Sequence, residues 1–242
     1  MGRRINEIPA DIADLLRGGG GIFVLADAVA AGIDAKRINR LCHAGLLTAV
    51  VRGCYVATAR LQRLNAWELH REQARAFALA AGLPAYVTGW AAVMFWRLRT
   101  AGPPPRLPTL LVPREPGHGN GSITPNGKTV LAALPDEHRY TMPAGPRKWG
   151  VVSKGWAAAD IARLAPVPAA LIVADSAIRD GVDLESVLAI MRLRTGFSRA
   201  WWVAQHADPN AESALETLGR FACIERDLPL PVSNAWVGVD GP

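Results

Sequence analysis

Cysteine is scarce in this 242-residue chain. Its three copies, Cys42, Cys54 and Cys223, stand at no spacing that suits a disulfide framework or a zinc site. The five histidines are scattered, with no HxxxH or HExxH pair, so no metal or cofactor is expected. No charge-free apolar run reaches the roughly 18 residues of a membrane span. The opening residues MGRRINEIPADIADLL carry Arg3 and Arg4 but no apolar stretch, the pattern expected of a chain without a signal peptide. Cys42 and Cys54 fall in apolar patterns, where a free thiol acts as a small core residue, and a reducing cytoplasm is the natural setting.

Acidic residues are also in short supply, but only in one part of the chain. Residues 1–165 hold 21 Lys and Arg against 11 Asp and Glu, whereas residues 166–242 hold 6 against 10. A basic front part suggests a surface made for an anionic partner. Half of the residues are apolar and 20% are charged, which excludes a disordered chain and leaves room for two or three small domains.

The pattern predicts a helix over 6–17 with Ile8, Ile12, Leu15 and Leu16 on one face, then a stop at Gly18–Gly21. A strand at 22–24, a helix at 25–31 and a tight turn at Gly32 follow. Asp34 is placed to cap a second helix ending at His43. Two β-rich runs, 46–51 and 54–56, meet at the hairpin signal Arg52–Gly53. Val24, Leu25, Val29, Ile38, Leu41 and Leu47 can share one core, which leaves Lys36, Arg37, Asn39, Arg40 and His43 facing outward. This is the order of a winged helix-turn-helix. A major groove accepts such a helix, and Arg and Asn make bidentate bonds to base edges. Lys36, Arg37, Asn39 and Arg40 are the expected groove residues, and Arg52 at the wing tip is the expected backbone contact.

Beyond the hairpin, Asn65 and Glu68 form a capping-box pattern that opens a helix to Ala81, stopped by Gly82–Leu83–Pro84. Strands are expected at 86–88, 109–112, 128–132 and 150–153. Helices are expected at 89–98, 156–164, 169–179, 184–194, 199–206 and 212–225. The fold class is therefore α+β: an N-terminal winged helix-turn-helix over 1–60, a mixed α/β domain over 65–206, and C-terminal helices.

The run GGIFVLADAVAAGIDAKRINRLCHAGLLTAVVRGCYV resembles the winged-helix domain of AbiEi-type antitoxins of type IV toxin–antitoxin systems. The match is carried by Gly21, Phe23, Ala26, Ala31, Gly32, Arg37, Ile38, Leu41, Ala44, Gly45, Leu47, Arg52, Gly53 and Tyr55. AYVTGWAAVMFWRL, PTLLVPR, GVVSKGWAAADIARLA and ALIVADSAIRDG are similar to later landmarks of the longer actinobacterial-type relatives. Thr88 and Gly89 replace a Ser/His-rich entry common there, and no role is carried over to them. The resemblance implies a DNA-binding antitoxin that represses its own operon from an upstream operator and neutralises a nucleotidyltransferase-type toxin, without enzymatic activity and without a membrane partner. Asp160 and Asp175 match acidic positions of the family's middle helices and are expected to be structural or surface charges.

The segment ADPNAESALETLGRFA supplies an alternative. It resembles the first helix of endonucleases of the very-short-patch-repair and restriction class, in which a helix Glu joins later carboxylates around Mg²⁺. Glu216 is the matching residue, with Glu212 one turn earlier. After it stand Glu225, Asp227 and Asp240 but no Glu-x-Lys strand, so residues 207–242 are expected to be the start of a truncated endonuclease-like segment. An ordinary pair of glutamates on a solvated helix face is the simpler expectation for Glu212 and Glu216.

Overall fold

The computed structural model describes residues 7–114 and 121–233. It opens with α1 (Ala10–Gly18), β1 (Ile22–Val24), α2 (Leu25–Ala30), α3 (Ala35–His43), β2 (Leu47–Val51), β3 (Cys54–Ala57) and the single turn α4 (Thr58–Leu61). The three strands form an antiparallel sheet in the order β1-β3-β2. This is the winged helix read from the sequence, with two differences of detail. The first helix starts at Ala10 and not Asn6, because Pro9 is its extended N-cap, and a proline there loses no helical hydrogen bond. Val29 is 56% exposed, and Ala28 takes the core position in its place. Leu25 and Ala28 are three residues apart and so share the inward face of α2, while Val29 lies about 100° further round the helix.

The core of this domain is a single cluster of Ile12, Leu16, Phe23, Ile33, Ile38 and Leu41 with smaller neighbours. Phe23 stacks on Tyr55, with ring centroids 5.4 Å apart. Cys54 is fully buried, and burial pushes its thiol up to about 11. Gly32, at φ 79°, makes the turn between α2 and α3, and Gly53, at φ 82°, makes the turn of the wing. A side chain at either position would be strained in that left-handed conformation.

Next come α5 (Ala66–Ala81), β4 (Tyr86–Thr88), α6 (Gly89–Phe95), β5 (Thr109–Pro113), β6 (Ser122–Thr124), β7 (Gly127–Ala132), β8 (Arg139–Ala144) and β9 (Arg147–Val152). The capping box is present in full: the Glu68 amide donates to the Asn65 side chain and the Asn65 amide to Glu68, both at 2.9 Å. The strands form one mixed sheet in the order β6-β7-β5-β4-β9-β8, with α5 packed on β4, β5 and β9. α5 also packs on all three strands of the winged-helix sheet.

The last elements are α7 (Lys154–Leu164), α8 (Val167–Arg179), α9 (Leu184–Ile190), α10 (Phe197–His206) and α11 (Ala214–Ile224). Residues 155–163 of α7 and 170–177 of α8 are buried without a break. Helices buried on every side belong at the centre of a helical unit. Asp160, paired with Arg163 at 3.0 Å, and Asp175 are both buried, so they are structural charges and not surface ones. The chain packs as two compact units: residues up to 91 with 104–152, and residues 92–103 with those from 153 onward.

His70 on α5 is 3% exposed, lies edge-on to Trp67, and has no hydrogen-bond partner at Nδ1 among the described residues. Burial lowers its pKa to about 4, from an ordinary 6.5. Between those values the unfolded chain binds the proton and the folded one does not, so stability falls as pH drops through that window. The loss amounts to about 2 kcal/mol between pH 7 and pH 5. In urea titrations at the two pH values, His70→Leu is expected to lose less stability on acidification than the wild type, by that amount. Equal losses in the two proteins would place the proton elsewhere.

Candidate nucleic-acid interface

α3 is held in place from inside. Ile38 and Leu41 are fully buried, and the Asp34 side chain accepts the Lys36 amide at 3.0 Å to cap the helix. Its other face carries Lys36, Asn39, Arg40 and His43, all exposed. Their spacing of three, four and seven residues sets them along one side of the helix. Arg52 is exposed at the tip of the wing, and the Leu25 amide donates to the Gly53 carbonyl at 2.8 Å, which ties that turn to the start of α2. Across the base of the wing the Thr48 and Thr58 hydroxyls share a hydrogen bond of 2.8 Å.

Arg37 stands apart from the other groove candidates. Its guanidinium donates to both oxygens of Asp11 on α1, at 2.6 and 3.0 Å, and its side chain is 36% exposed. This bond holds the Asp11 carboxyl below the usual carboxylate range. The structure thus brings Lys36, Asn39 and Arg40 together on one open face and turns Arg37 to the neighbouring helix. Nothing local in the sequence pairs residues 11 and 37; only the folded crossing of α1 and α3 does.

Other arginines in the same unit are engaged within the protein. Glu72, 3% exposed, accepts from Arg60 at 3.1 Å and lies 3.7 Å from Arg75. Arg75 donates to the carbonyls of Gly19 and Gly20, and Arg147 reaches both oxygens of Asp27 at 2.8 and 2.9 Å. These contacts fasten the winged helix to α5 and β9. Part of the basic surplus of residues 1–165 is therefore spent internally, while Lys36, Arg40 and Arg52 carry no ion pair among the described residues.

At the other end of the chain Glu216 acts as a helix cap. Its amide donates to the Ser213 hydroxyl at 3.2 Å, and its carboxylate accepts from that hydroxyl and from the Glu212 amide, each at 2.8 Å. The spelling Ser213-x-x-Glu216 is itself a capping-box pattern, a signal available in the sequence. These bonds lower the Glu216 pKa. Glu212 is exposed, 3.7 Å from Arg179. Asp240 lies outside the described residues. Among the described residues no three His, Cys, Asp or Glu side chains are grouped so as to hold a metal ion, and no helix is long and apolar enough to cross a membrane.

Residues 10–58 match the family model described as "Transcriptional regulator, AbiEi antitoxin". Two Mycobacterium tuberculosis proteins, MT2308 of strain CDC 1551 / Oshkosh and Rv2248 of strain ATCC 25618 / H37Rv, are each 36% identical to it over 80 residues. Those stretches amount to 31% of this chain and 30% of each relative, so the chain spans less than a third of the length of the curated relatives it matches. The crystal structure of the Rv2827c protein from the same organism covers 84% of the chain and 78% of its own, with 14% identity and a TM-score of 0.43. At that distance it adds nothing to the fold described above. Over residues 10–58, by contrast, sequence and winged-helix architecture agree, and this segment is similar to the transcriptional-regulator domain of the AbiEi antitoxin family.

Proposed function

We propose that the protein is an antitoxin that binds double-stranded DNA upstream of its own gene, represses its own operon, and neutralises a nucleotidyltransferase-type toxin encoded beside it. Support for the DNA-binding part comes from one observation above all: Lys36, Asn39 and Arg40 share an exposed helix face opposite Ile38 and Leu41, and the Lys36 and Arg40 cations have no ion-pair partner among the described residues. Asn39 and Arg40 read base edges, Lys36 and Arg52 hold phosphates, and Arg37 sets the angle of α3 through Asp11. Residues 65–206 form the effector portion that acts on the toxin.

Arg40→Ala is expected to lower affinity for the operator by about 1–3 kcal/mol and to leave binding to random DNA nearly unchanged. Lys36→Ala is expected to weaken both and to reduce the salt slope by about one. Gel-shift titrations at two salt concentrations separate the cases, and an equal loss on both DNAs for Arg40→Ala would make it a phosphate contact. Neutralisation is tested by growth. Cells arrested by the neighbouring toxin recover on co-expression of the chain, and they recover equally with the Arg40→Ala variant. Arrest that persists in both cultures would remove the antitoxin role.

The endonuclease alternative has less support. Its leading candidate, Glu216, has both carboxylate oxygens engaged in capping α11. The α11 helix also packs on α8.

A further inference from the structure

Large aliphatic side chains stand in water at one corner of the helical unit: Leu164 at the end of α7, Ile190 at the end of α9, and Leu193 in the turn that follows. Leu193 is 93% exposed. Backbone bonds three residues apart wind this turn: the Met191 amide donates to Leu188, the Arg194 amide to Met191, and the Phe197 amide to Arg194. Arg163, next to Leu164 in the chain, holds the turn against α7 by donating to the Thr195 carbonyl at 2.8 Å, and Arg199 donates to the Arg163 carbonyl. Phe197 and Trp201, one helical turn apart on α10 with ring centroids 5.8 Å apart, are only partly buried. Single exposed apolar residues are ordinary, whereas a group of them gathered at one place marks a contact surface.

Charge at this corner has one sign. From Ser186 to Ala207 the sequence holds Arg192, Arg194 and Arg199 and no Asp or Glu, although residues 166–242 as a whole hold 10 acidic residues against 6 basic. Arg194 turns inward over the Trp156 ring, 4.6 Å from its centroid, and Asp160 of α7 is buried with Arg163. Arg192 and Arg199 are exposed and carry no ion pair among the described residues.

We propose that this corner docks a protein partner through a segment that sets apolar side chains among carboxylates. The apolar groups cover Leu164, Ile190 and Leu193, and the carboxylates pair with Arg192 and Arg199. Apolar area beside arginine and partly buried aromatics is the usual make-up of a protein contact, and complementary charge selects the partner. The surplus of acid across residues 166–242 disfavours an extended anionic surface such as a bilayer or a nucleic acid, whose many charges it would repel. A short acidic segment meets only the two arginines. The surface belongs to the helical unit and needs no DNA contact, so the inference goes beyond the function proposed above and stands or falls separately from it.

Selection from a phage library of random peptides on the immobilised full chain tests it. Enriched peptides are expected to combine Leu, Ile or Phe with Asp or Glu, and the strongest is then synthesised and titrated by fluorescence anisotropy. Leu193→Ser, a change the fold tolerates because the side chain is so exposed, is expected to weaken binding about tenfold, the scale of one leucine left uncovered. Arg192→Glu is expected to weaken it at least as much, and wild-type binding is expected to fall as salt rises. Leu215→Ser, at a comparably exposed leucine of α11 outside the corner, is expected to leave affinity unchanged. Enrichment of no peptide, enrichment of peptides without Asp or Glu, or equal affinity for wild type and Leu193→Ser would overturn the proposal. Failure to enrich any peptide, joined to binding of phosphatidylglycerol vesicles that Leu193→Ser abolishes, would make the corner a membrane surface instead.

Discussion

Asp175→Ala is expected to destabilise the protein by about 3–5 kcal/mol, the cost of leaving a buried charge without its partner. Asp175 is fully buried on α8 and Arg220 of α11 is 7% exposed. The guanidinium reaches the two carboxylate oxygens at 3.0 and 2.9 Å. The Thr217 hydroxyl and the Asp208 amide each donate to the same carboxylate at 2.7 Å, and Arg220 also donates to the His206 carbonyl at 2.7 Å. Burial pushes the Asp175 carboxyl above its ordinary range, while these three donors pull the other way. One carboxylate therefore fastens α11, and the turn leading into it, to α8.

Truncation to alanine leaves the guanidinium with one carbonyl and opens a void. The double variant Asp175→Leu/Arg220→Met removes both charges and is expected to recover most of the loss, since apolar pairs of similar volume often match a buried ion pair. Urea midpoints at pH 7 compare the three proteins. A loss below about 1 kcal/mol for Asp175→Ala, within the range of a surface pair, would contradict this account. Because the cluster lies in the helical unit, DNA binding by the folded variant is expected to be unchanged.

How much of this could be read from the residues depended on whether the signal was local. The cap at Asp34, the capping box of Asn65 and Glu68, and the alternation of Ile38 and Leu41 with charged neighbours are all written within one or two helical turns, and each appears in the fold as expected. β6 and β8 were not legible. They are the two edges of the six-stranded sheet, paired on one side only. All three residues of β6 are exposed, and β8 carries Pro143, which an edge strand tolerates, so neither shows a strand's apolar pattern. α6 was expected to reach Leu98 and ends at Phe95, since Arg97 turns to a positive φ of 57°. α9, expected to run to Arg194, ends at Ile190.

The candidate interface divides in the same way. The exposure of Lys36, Asn39, Arg40 and Arg52 was legible, because positions on a short amphipathic helix and at a hairpin tip follow from spacing. The engagement of Arg37 by Asp11, and of Arg60 and Arg75 by Glu72, depends on contacts between separate elements that no local pattern encodes. That residues 92–103 group with the C-terminal helices is likewise a property of packing and not of composition.

A single titration decides whether α3 reads DNA. Purified protein is titrated against labelled DNA from upstream of its gene, at two salt concentrations and with random DNA as competitor. A Lys36→Ala/Arg37→Ala/Arg40→Ala variant is measured alongside. The wild type is expected to bind tightly and resist the competitor. The variant is expected to lose about a hundredfold or more in specific affinity, as two or more contacts worth about 1–3 kcal/mol each disappear. Its salt slope is expected to fall as well, because fewer phosphate counterions are displaced. Loss of the Asp11 pair costs the fold little, since the pair is partly exposed, so the variant is expected to melt within a few degrees of the wild type. Weak binding, equal on both DNAs and unchanged in the variant, would contradict the account and leave the exposed face of α3 as no more than a solvated helix surface.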